Sequence, residues 1–317
     1  MIMTTLRRYT TDKAQEWNDF IASSKNGTFL LDRRFMDYHS DRFADCSLLF
    51  YEGKKLIAVL PANYDEKSKT VFSHQGLTYG GLIMSKKVSS KCVMECFSLM
   101  TEWMKNTLGA ERFMYKPIPY IYNDYPSEDD LYALFRNGAT LVSRGLSSCI
   151  DLQNKIPVTE SRKSGLRKAT DIVVRETSDI EAFWDILNNV LSTYHNTHPV
   201  HSTDEIRLLM TRFPENIKLY GAYDTEGKMQ AGSWVFDFGN VVHTQYLCAT
   251  DEGKACGALD KIIYTLITDI YSDRKYLDFG ISTEEGGKVL NEGLIFQKEG
   301  FGGRGICYDV WEMEVKN

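Results

Sequence analysis

The densest group of side chains that could do chemistry lies near the C-terminus. A strand-like run from Tyr276 ends in Gly280, an amphipathic segment carrying Asn291 and Lys298 follows, and residues 300–305 form a glycine-rich corner. Polar groups thus crowd the end of a strand, and glycines follow where backbone must approach something closely. We predict that this segment forms half of an active site. A surface loop whose charges only add solubility is the alternative for Lys298.

A second concentration of polar chemistry is the histidine-rich stretch from Tyr194 to His201. His195, His198 and His201 make up half of the chain's six histidines. Imidazoles suit zinc, but this spacing across a proline matches no recognised ligand pattern, and no cysteine or carboxylate lies beside it. The sequence therefore predicts no metal site. It favours a loop that covers a cleft and binds an acceptor or acts as a base, with plain loop packing as the alternative.

A basic stretch lies between the two halves of the chain. Arg162 and Arg167, with the lysine that follows each of them, fall at helical spacings and form one basic face on a short helix. This much positive charge is unusual in a linker of an acidic protein. The two arginines are candidates for contacting a phosphate-bearing substrate, and a merely solvated helix explains them equally well.

Composition narrows the class of protein. The 317 residues carry a net charge of -6, with 43% hydrophobic and 25% charged residues, as in a globular protein rather than a general nucleic-acid binder. The N-terminus has no apolar signal segment, and no run of about 18 apolar residues predicts a membrane span. The seven cysteines form no CxxC pair and are expected to be reduced thiols. We expect a cytoplasmic protein.

The elements that must position these residues occur twice in the same order. Helix, helix, hairpin, strand, long helix and strand can be read in each half, with the hairpins turning at Gly53 and Gly227. Further landmarks that pair across the halves are Trp17 with Trp184, Gln75 with Gln245 and Phe113 with Tyr276. This order predicts an internal duplication, with two α/β (α+β) domains around central sheets at residues 1–155 and 156–317.

Three segments together resemble a known family. The duplicated layout, the run SRKSGLRKA and the ending DFGIST…LNEGLIFQKEGFGGRG are similar to the FemAB-like branch of the acyl-CoA N-acyltransferase (GNAT-like) superfamily. The resemblance implies two tandem GNAT-like domains, each a mixed central sheet flanked by helices. It also implies transfer of an acyl or aminoacyl group to an amine, with the second domain carrying the active site.

The resemblance implies a coenzyme A site at one loop. GNAT proteins bind the pyrophosphate with backbone amides of a glycine-containing loop and of the helix that follows. This chain has EGKACGAL in that place, so Gly253, Lys254 and Gly257 are the candidate cofactor-binding residues, although Leu259 departs from the pattern. The corresponding loop of the first half has no glycine and is expected to bind no cofactor.

The resemblance also assigns chemical roles. Amide formation needs a base for the amine, stabilisation of the carbonyl oxygen and a proton for the leaving group. Where the central strands splay apart, His243 and Gln245 are candidates, and alternation would place both on one face of their strand. Asp278 could bind the amine or act as base, and Lys298 resembles the lysine that stabilises charge in FemAB-like enzymes. A core histidine and a turn-capping aspartate are the alternatives.

The predicted function is therefore an N-acyltransferase that uses acetyl-CoA or another acyl-CoA and needs no metal. The acceptor would be an amine, such as an amino sugar or nucleotide-linked sugar in surface-polysaccharide or cell-wall assembly. An aminoacyl-tRNA-dependent transferase is the close alternative, against which the acidic composition weighs. A non-catalytic binding module is the alternative from another class. Exposed edge strands can pair between copies, so a homodimer is a candidate assembly.

Overall fold

The computed structural model describes residues 3–195 and 197–315, which belong to two compact units. Unit 1 comprises the chain up to Gly145 together with Glu285–Lys288 and the residues from Cys307 onward. Unit 2 comprises Leu146–Glu284 and Val289–Ile306. The end of the chain thus returns to unit 1, which the predicted division into residues 1–155 and 156–317 does not include.

Runs of strands and helices follow one another along the chain. The helices are α1 (Ala14–Ser23), α2 (Arg33–Met36), α3 (Ser90–Trp103), α4 (Asp129–Arg136), α5 (Glu160–Lys168), α6 (Ile180–His195), α7 (Thr203–Arg212), α8 (Asp251–Ala255), α9 (Ala258–Thr265) and α10 (Glu292–Gly300). The strands are β1 (Thr4–Arg8), β2 (Leu48–Glu52), β3 (Lys55–Leu60), β4 (Asn63–Asp65), β5 (Thr70–Phe72), β6 (Ile83–Met84), β7 (Arg112–Tyr115), β8 (Thr140–Asp151), β9 (Val173–Glu176), β10 (Ile217–Tyr223), β11 (Met229–Asp237), β12 (Val241–Ala249), β13 (Tyr276–Ile281), β14 (Thr283–Glu284), β15 (Val289–Leu290) and β16 (Arg304–Glu314).

Unit 1 contains two sheets packed around α3. One is antiparallel in the order β1-β2-β3-β6, and the other runs β4-β5-β7-β16. The second sheet is mixed, because β5 and β7 are parallel whereas the other pairs are antiparallel. The apolar face of α3, with Val93, Phe97 and Met100 fully buried, packs into the core that these sheets share. Ser89 caps the start of this helix, as expected for a serine at that position.

Unit 2 is built on one mixed sheet in the order β8-β13-β12-β11-β10-β9. All neighbouring pairs are antiparallel except β12 and β13, which are parallel. Every residue of β11 is buried, because helices α6 and α9 cover this central strand. Ile262 and Ile263 of α9 are buried, and Leu266 continues the same buried face in the turn after this helix.

The predicted order of elements recurs in the two units. In each, two parallel strands are joined through a long helix, β5-α3-β7 in unit 1 and β12-α9-β13 in unit 2. Both helices end in one π-helical turn, Met104–Leu108 and Leu266–Ile270. Gly53 and Gly227 occupy the two predicted hairpin turns with positive φ of 62° and 80°. The mixed sheets flanked by helices that we predicted are therefore confirmed.

One predicted helix is different. The apolar spacing over residues 29–39 favours a single helix, but the structure divides this stretch into a 3₁₀ turn, Phe29–Leu31, the four-residue α2 and a second 3₁₀ segment, Asp37–Arg42. Asp32 lies between the first turn and α2 in an extended conformation and accepts a hydrogen bond from the Arg34 amide, so it acts as a helix cap that breaks the longer helix.

In the part of the chain described, no helix has the length and apolar content to cross a bilayer.

A buried hydroxyl joins three elements of unit 1. The fully buried Tyr115 donates its hydroxyl proton to Asp130 over 2.6 Å and accepts the Leu82 amide over 2.6 Å. We expect Tyr115→Phe to lower the free energy of unfolding by about 2–4 kcal/mol, because two buried polar partners lose their hydrogen bond. Urea denaturation measures the loss. Tyr125→Phe, at a residue that is 65% exposed, is the control and should change stability by less than about 0.5 kcal/mol. Equal effects of the two substitutions would contradict the assignment.

Candidate functional site

The sheet of unit 2 opens between its two parallel strands. β12 and β13 pair over only three positions, Val241 with Tyr276, Val242 with Leu277 and His243 with Asp278. Both strands continue beyond this point without pairing to each other. Backbone groups at such an opening lack their ladder partners and need other partners. His243 and Asp278 thus lie at the point where the strands divide.

A β-bulge accompanies the opening. Trp234 of β11 lies opposite Tyr246, whereas Val235 lies opposite Thr244, so Gln245 is the extra residue of β12. A bulge bends its strand and leaves the extra residue out of the ladder. That His243 and Gln245 lie on one face of β12 stays a prediction, because the bulge interrupts the regular two-residue period at Gln245.

A cavity of about 220 Å³ occupies the opening, and we call it the β12–β13 cleft. Its walls come from α6, β12, β13, α9 and α10 and are mostly apolar. The lining residues are Leu187, Leu191, Thr244, Gln245, Tyr246, Leu247, Leu259, Ile263, Phe279, Leu294, Gln297, Lys298 and Phe301. Lys298 is the one charged side chain among them, and none is acidic. A mostly apolar cavity with one cation in its wall suits a largely uncharged ligand.

A histidine–carboxylate pair lies where the strands divide. Nδ1 of His243 is 2.9 Å from Oδ2 of Asp278, and the fully buried Asp278 also accepts the Ser147 hydroxyl over 2.5 Å. An ionised carboxylate can only accept, so Nδ1 carries the proton and Nε2 is the basic nitrogen. The structure therefore brings two predicted catalytic residues together in an arrangement that orients a general base.

Gly280 separates this pair from Lys298. Its φ is +77°, and an ideal Cβ at this residue would lie 3.2 Å from Cε1 of His243. The same residue offers its carbonyl oxygen to Nζ of Lys298 over 2.8 Å. A glycine here thus permits both the left-handed backbone and the close approach of the imidazole ring.

Lys298 is buried and holds the end of β13. Besides Gly280, its ammonium contacts the Ile281 carbonyl at 3.2 Å and the Ser282 hydroxyl at 2.6 Å. Burial lowers the pKa of Lys298 to about 8, and the negative charge of the nearby Asp278 partly opposes this effect by raising the pKa. The side chain lies on α10, whose start is capped by Asn291 through the Leu294 amide at 3.1 Å. Asn291 also donates to Glu284 over 2.9 Å, so in this structure it serves to begin the helix.

The histidines of the predicted acceptor-binding loop lie in different environments. Nδ1 of His201 lies 2.9 Å from the hydroxyl of Tyr246, whose pKa burial raises to about 12, so this buried histidine supports a wall of the cleft. The exposed His198 pairs with Asn188 over 3.2 Å. His195 is the last residue of α6, and its side chain is outside the described residues. Within the described residues no three histidine, cysteine or acidic side chains gather into a metal-binding group.

The basic helix makes a structural contact. Arg162 forms an ion pair with Asp260 of α9 at 2.7 Å and lies over the Phe301 ring, 5.6 Å from its centre. Arg167 is largely exposed and lies 3.9 Å from Glu160 of its own helix. Of the two arginines predicted to bind substrate, Arg162 is thus engaged within unit 2 and Arg167 faces solvent.

The predicted phosphate loop is packed against other backbone. An ideal Cβ on Gly253 would lie 2.1 Å from the Gln230 carbonyl oxygen, and one on Gly257 would lie 2.2 Å from that of Gly165. Lys254 pairs with Asp251 at 3.1 Å. The two glycines therefore allow close packing, and these residues do not fit a coenzyme A diphosphate as an open cradle would.

Two residues near the site were not among the sequence candidates. Ser147 lies on β8, which the apolar pattern did not identify as a strand, and Ser282 comes directly after the end of β13. Both hydroxyls contact a predicted catalytic residue, Asp278 or Lys298. Ser282 lies within the DFGIST segment, so its position directly after the strand was the signal available for it.

Three solved structures show the fold of the whole chain. The crystal structure of FemX matches with a TM-score of 0.69 at 10% identity, over 97% of this chain and 96% of that one. A tandem GNAT protein from the clavulanic acid biosynthesis pathway matches with a TM-score of 0.55 at 13% identity, over 99% of each chain. L-PGS from Bacillus licheniformis matches with a TM-score of 0.59 at 10% identity, over 98% of this chain and 94% of that one. The chain therefore has a tandem GNAT-type fold of the FemX kind, as the sequence predicted.

At these identities the likeness establishes the fold and not the reaction. No family model matches the sequence, and no curated protein is similar enough to it to count as a relative.

The contact between Gly280 and His243 can be tested with a matched pair of substitutions. Gly280→Ala places a methyl group against the imidazole, whereas Gly239→Ala, at φ +86° with nothing within 4 Å, adds only backbone strain. We expect both to lose about 1–2 kcal/mol of stability. Only Gly280→Ala should change the NMR chemical shifts of the His243 ring protons, because only that methyl group touches the ring. Unchanged ring shifts in Gly280→Ala would show that the ring position does not depend on this glycine.

Proposed function

We propose that the protein is an N-acyltransferase whose reaction takes place in the β12–β13 cleft of unit 2. The observation that carries the proposal is that one strand opening brings together an oriented histidine, a buried lysine and a largely apolar cavity. His243 and Asp278 pair at 2.9 Å where the strands divide, next to the residues that line the cavity, Thr244 and Phe279. Lys298 lies in that lining and donates to the Gly280 carbonyl over 2.8 Å. A fold alone would not indicate chemistry, but this constellation matches what acyl transfer requires.

The base in this proposal is Nε2 of His243. The amine nitrogen attacks the carbonyl carbon of the acyl donor, and Nε2 takes the proton that this nitrogen loses. Asp278 holds the ring through Nδ1 and stabilises the imidazolium that forms. The bond from the carbonyl carbon to the leaving sulfur or oxygen then breaks, and Nε2 of His243 gives its proton to that leaving atom.

Stabilisation of the carbonyl oxygen comes from two groups in the cleft. The bulge takes Gln245 out of the register between β11 and β12, and we assign its backbone N–H as the candidate donor to the oxyanion. Lys298 supplies positive charge from a site that excludes most water, where such charge acts more strongly than in bulk solvent. Tyr246, held by His201, forms part of the wall that positions the donor.

The donor is an acyl thioester in our leading proposal, and aminoacyl-tRNA is the alternative. The cleft favours the first, because an aminoacyl group brings an α-ammonium and none of the lining side chains is acidic. Because the fold is similar to those of FemX and L-PGS, aminoacyl-tRNA is kept as the second donor in the transfer assay. The proposed acceptor is an amine, with free and nucleotide-linked amino sugars as the first compounds to examine.

The direct test is an acyl-transfer assay with mass spectrometry of the products. The full chain is incubated with acetyl and longer acyl thioesters, or with aminoacyl-tRNA, and a panel of free and nucleotide-linked amino sugars. Formation of an amide in the presence of one donor class, lost on substitution of His243, supports the proposal. Absence of amide with every donor and acceptor, in a chain that remains folded, contradicts it.

His243→Gln tests the base. Glutamine keeps a hydrogen bond to Asp278 but cannot accept a proton, so we expect kcat to fall by about 10²–10⁴-fold while KM changes little. The melting temperature of the variant shows whether the fold is retained. A folded variant with near-normal kcat would remove His243 from the mechanism.

Lys298 should give the reaction a characteristic pH dependence. Its pKa lies below the usual lysine value, at about 8, so the ammonium that stabilises the oxyanion is lost as pH rises through about 8. We expect kcat to decline above this pH in the native chain. Lys298→Met should lower kcat by about 10–100-fold and abolish this decline, because the titrating group is gone. Lys228→Met, at an exposed hairpin turn, is the control and should retain both rate and decline. A decline that persists in Lys298→Met would assign it to another group.

A further inference from the structure

Strand β1 lies at an edge of the antiparallel sheet of unit 1 and pairs with β2. The Tyr9 amide continues this ladder by donating to the Ser47 carbonyl over 2.8 Å. Because hydrogen-bonded pairs alternate along an antiparallel ladder, the backbone groups of Thr4, Leu6 and Arg8 point away from β2. Among the described residues, no other backbone group pairs with them. β1 therefore presents a row of donors and acceptors to which another strand can add.

The other edges of unit 1 are covered by its own chain. The Lys25 amide donates to the Met84 carbonyl of β6 over 2.9 Å, and the Tyr64 amide of β4 donates to the Ala44 carbonyl over 3.0 Å. Natural sheets protect their edges in this way against pairing with another chain. In the described part of unit 1, β1 has no such cover.

A groove of about 430 Å³ lies between the start of β1 and helix α3. Met3, which is 79% exposed, and Thr4 line one side, and Met94, Glu95 and Leu99 are among the α3 residues that line the other. Glu95 accepts the Thr4 hydroxyl over 2.6 Å. The groove beside the open edge thus combines apolar walls with a carboxylate at the level of Thr4.

The outward-facing residues of β1 are complementary to themselves in an antiparallel arrangement. With Leu6 opposite Leu6 of a second copy, Thr4 of each copy lies opposite Arg8 of the other. Leu6 is partly buried, packs on the core of unit 1 and lies opposite Phe50 of β2, so the central pair continues an apolar row across both copies. Parallel pairing would instead place Arg8 beside Arg8, which is unfavourable.

Charge favours the same register. Alternation places the Arg8 side chain on the face of β1 that carries Thr4 and Leu6, which is the face covered by α3. Arg8 is exposed and uses one nitrogen to donate to the Asp45 carbonyl over 2.8 Å. In the antiparallel pair, Arg8 of each copy comes beside Thr4 and Glu95 of the other, so the twofold axis creates two pairs of opposite charge.

We propose that β1 pairs with β1 of a second copy of this chain, antiparallel about a twofold axis at Leu6, and that the protein is a homodimer. The contact is isologous, with the same surface used on both copies. The groove beside α3 receives the Arg8 side chain of the second copy. No residue of the β12–β13 cleft takes part, so the proposal is independent of the proposed function.

Sedimentation velocity of the full chain over a range of concentrations tests this, with a charge swap to locate the contact. Arg8→Glu and Glu95→Lys should each raise the dissociation constant of the dimer by at least about tenfold, because each opposes like charges. The double variant exchanges the two charges and should restore the constant to within about threefold of the native value. Glu226→Lys, at an exposed turn of unit 2, makes the same change in net charge as Glu95→Lys and should leave the constant unchanged.

Hydrogen exchange and melting curves complete the test. The amides of β1 should exchange more slowly as the concentration of the native chain rises, and this dependence should be lost in Arg8→Glu. The melting temperature of each variant, measured at a concentration where it is monomeric, shows whether the fold is retained.

Three results would overturn the proposal. A folded chain that stays monomeric at every concentration would leave the β1 edge to a strand of a different protein. A dimer that both single variants leave intact would place the contact on another surface. A double variant that dimerises no better than the single variants would contradict the register that brings Arg8 of one copy beside Glu95 of the other.

Discussion

The loss of pairing between β12 and β13 after His243 and Asp278 is the constraint on which the rest of unit 2 depends. Up to that point the two parallel strands share a buried ladder, and beyond it β12 carries the Gln245 bulge. An opening inside a sheet exposes backbone groups that are costly to leave unpaired, so it persists only where neighbouring elements hold it. The bulge therefore creates a site and at the same time requires a support for it.

The support comes from groups whose burial would otherwise destabilise the fold. Asp278 is fully buried, but it accepts hydrogen bonds from Ser147 and His243, and the cost of removing its charge from water is offset by these partners. Lys298 satisfies its ammonium on two carbonyls and the Ser282 hydroxyl, and so fixes the end of β13. The same contacts that make the opening stable thus place an oriented base and a cation at its edge.

Much of the fold could be predicted from sequence patterns, because long amphipathic helices and hairpin turns are local features. α3, α6 and the two glycine turns follow from apolar spacing and from the need for positive φ. The catalytic candidates Asp278 and Lys298 could be found because they lie at the end of a strand and beside glycines. The bulge at Gln245 could not be predicted, since it depends on how β11 pairs with β12 rather than on either strand alone. The packing of Gly257 against Gly165 could not be predicted either. A loop glycine that approaches a phosphate and a loop glycine that packs against another helix look the same in the sequence.

The corresponding parallel strands of the two units differ in whether the opening beyond their paired residues is filled. In unit 1 the parallel strands β5 and β7 likewise pair at three positions and then end. There, however, the loop after β5 joins them again: Ser73 donates its amide to the Met114 carbonyl, Lys116 donates its amide to the Ser73 hydroxyl, and Gly80 donates its amide to the Lys116 carbonyl. Gly80 approaches so closely that a Cβ would lie 1.8 Å from the Ser73 oxygen. The loop thus satisfies backbone groups at the place where, in unit 2, β12 and β13 no longer pair with each other. The same arrangement of strands is closed in unit 1 and open in unit 2. The difference lies in the segment after the first parallel strand, which is a returning loop in unit 1 and the short helix α8 in unit 2.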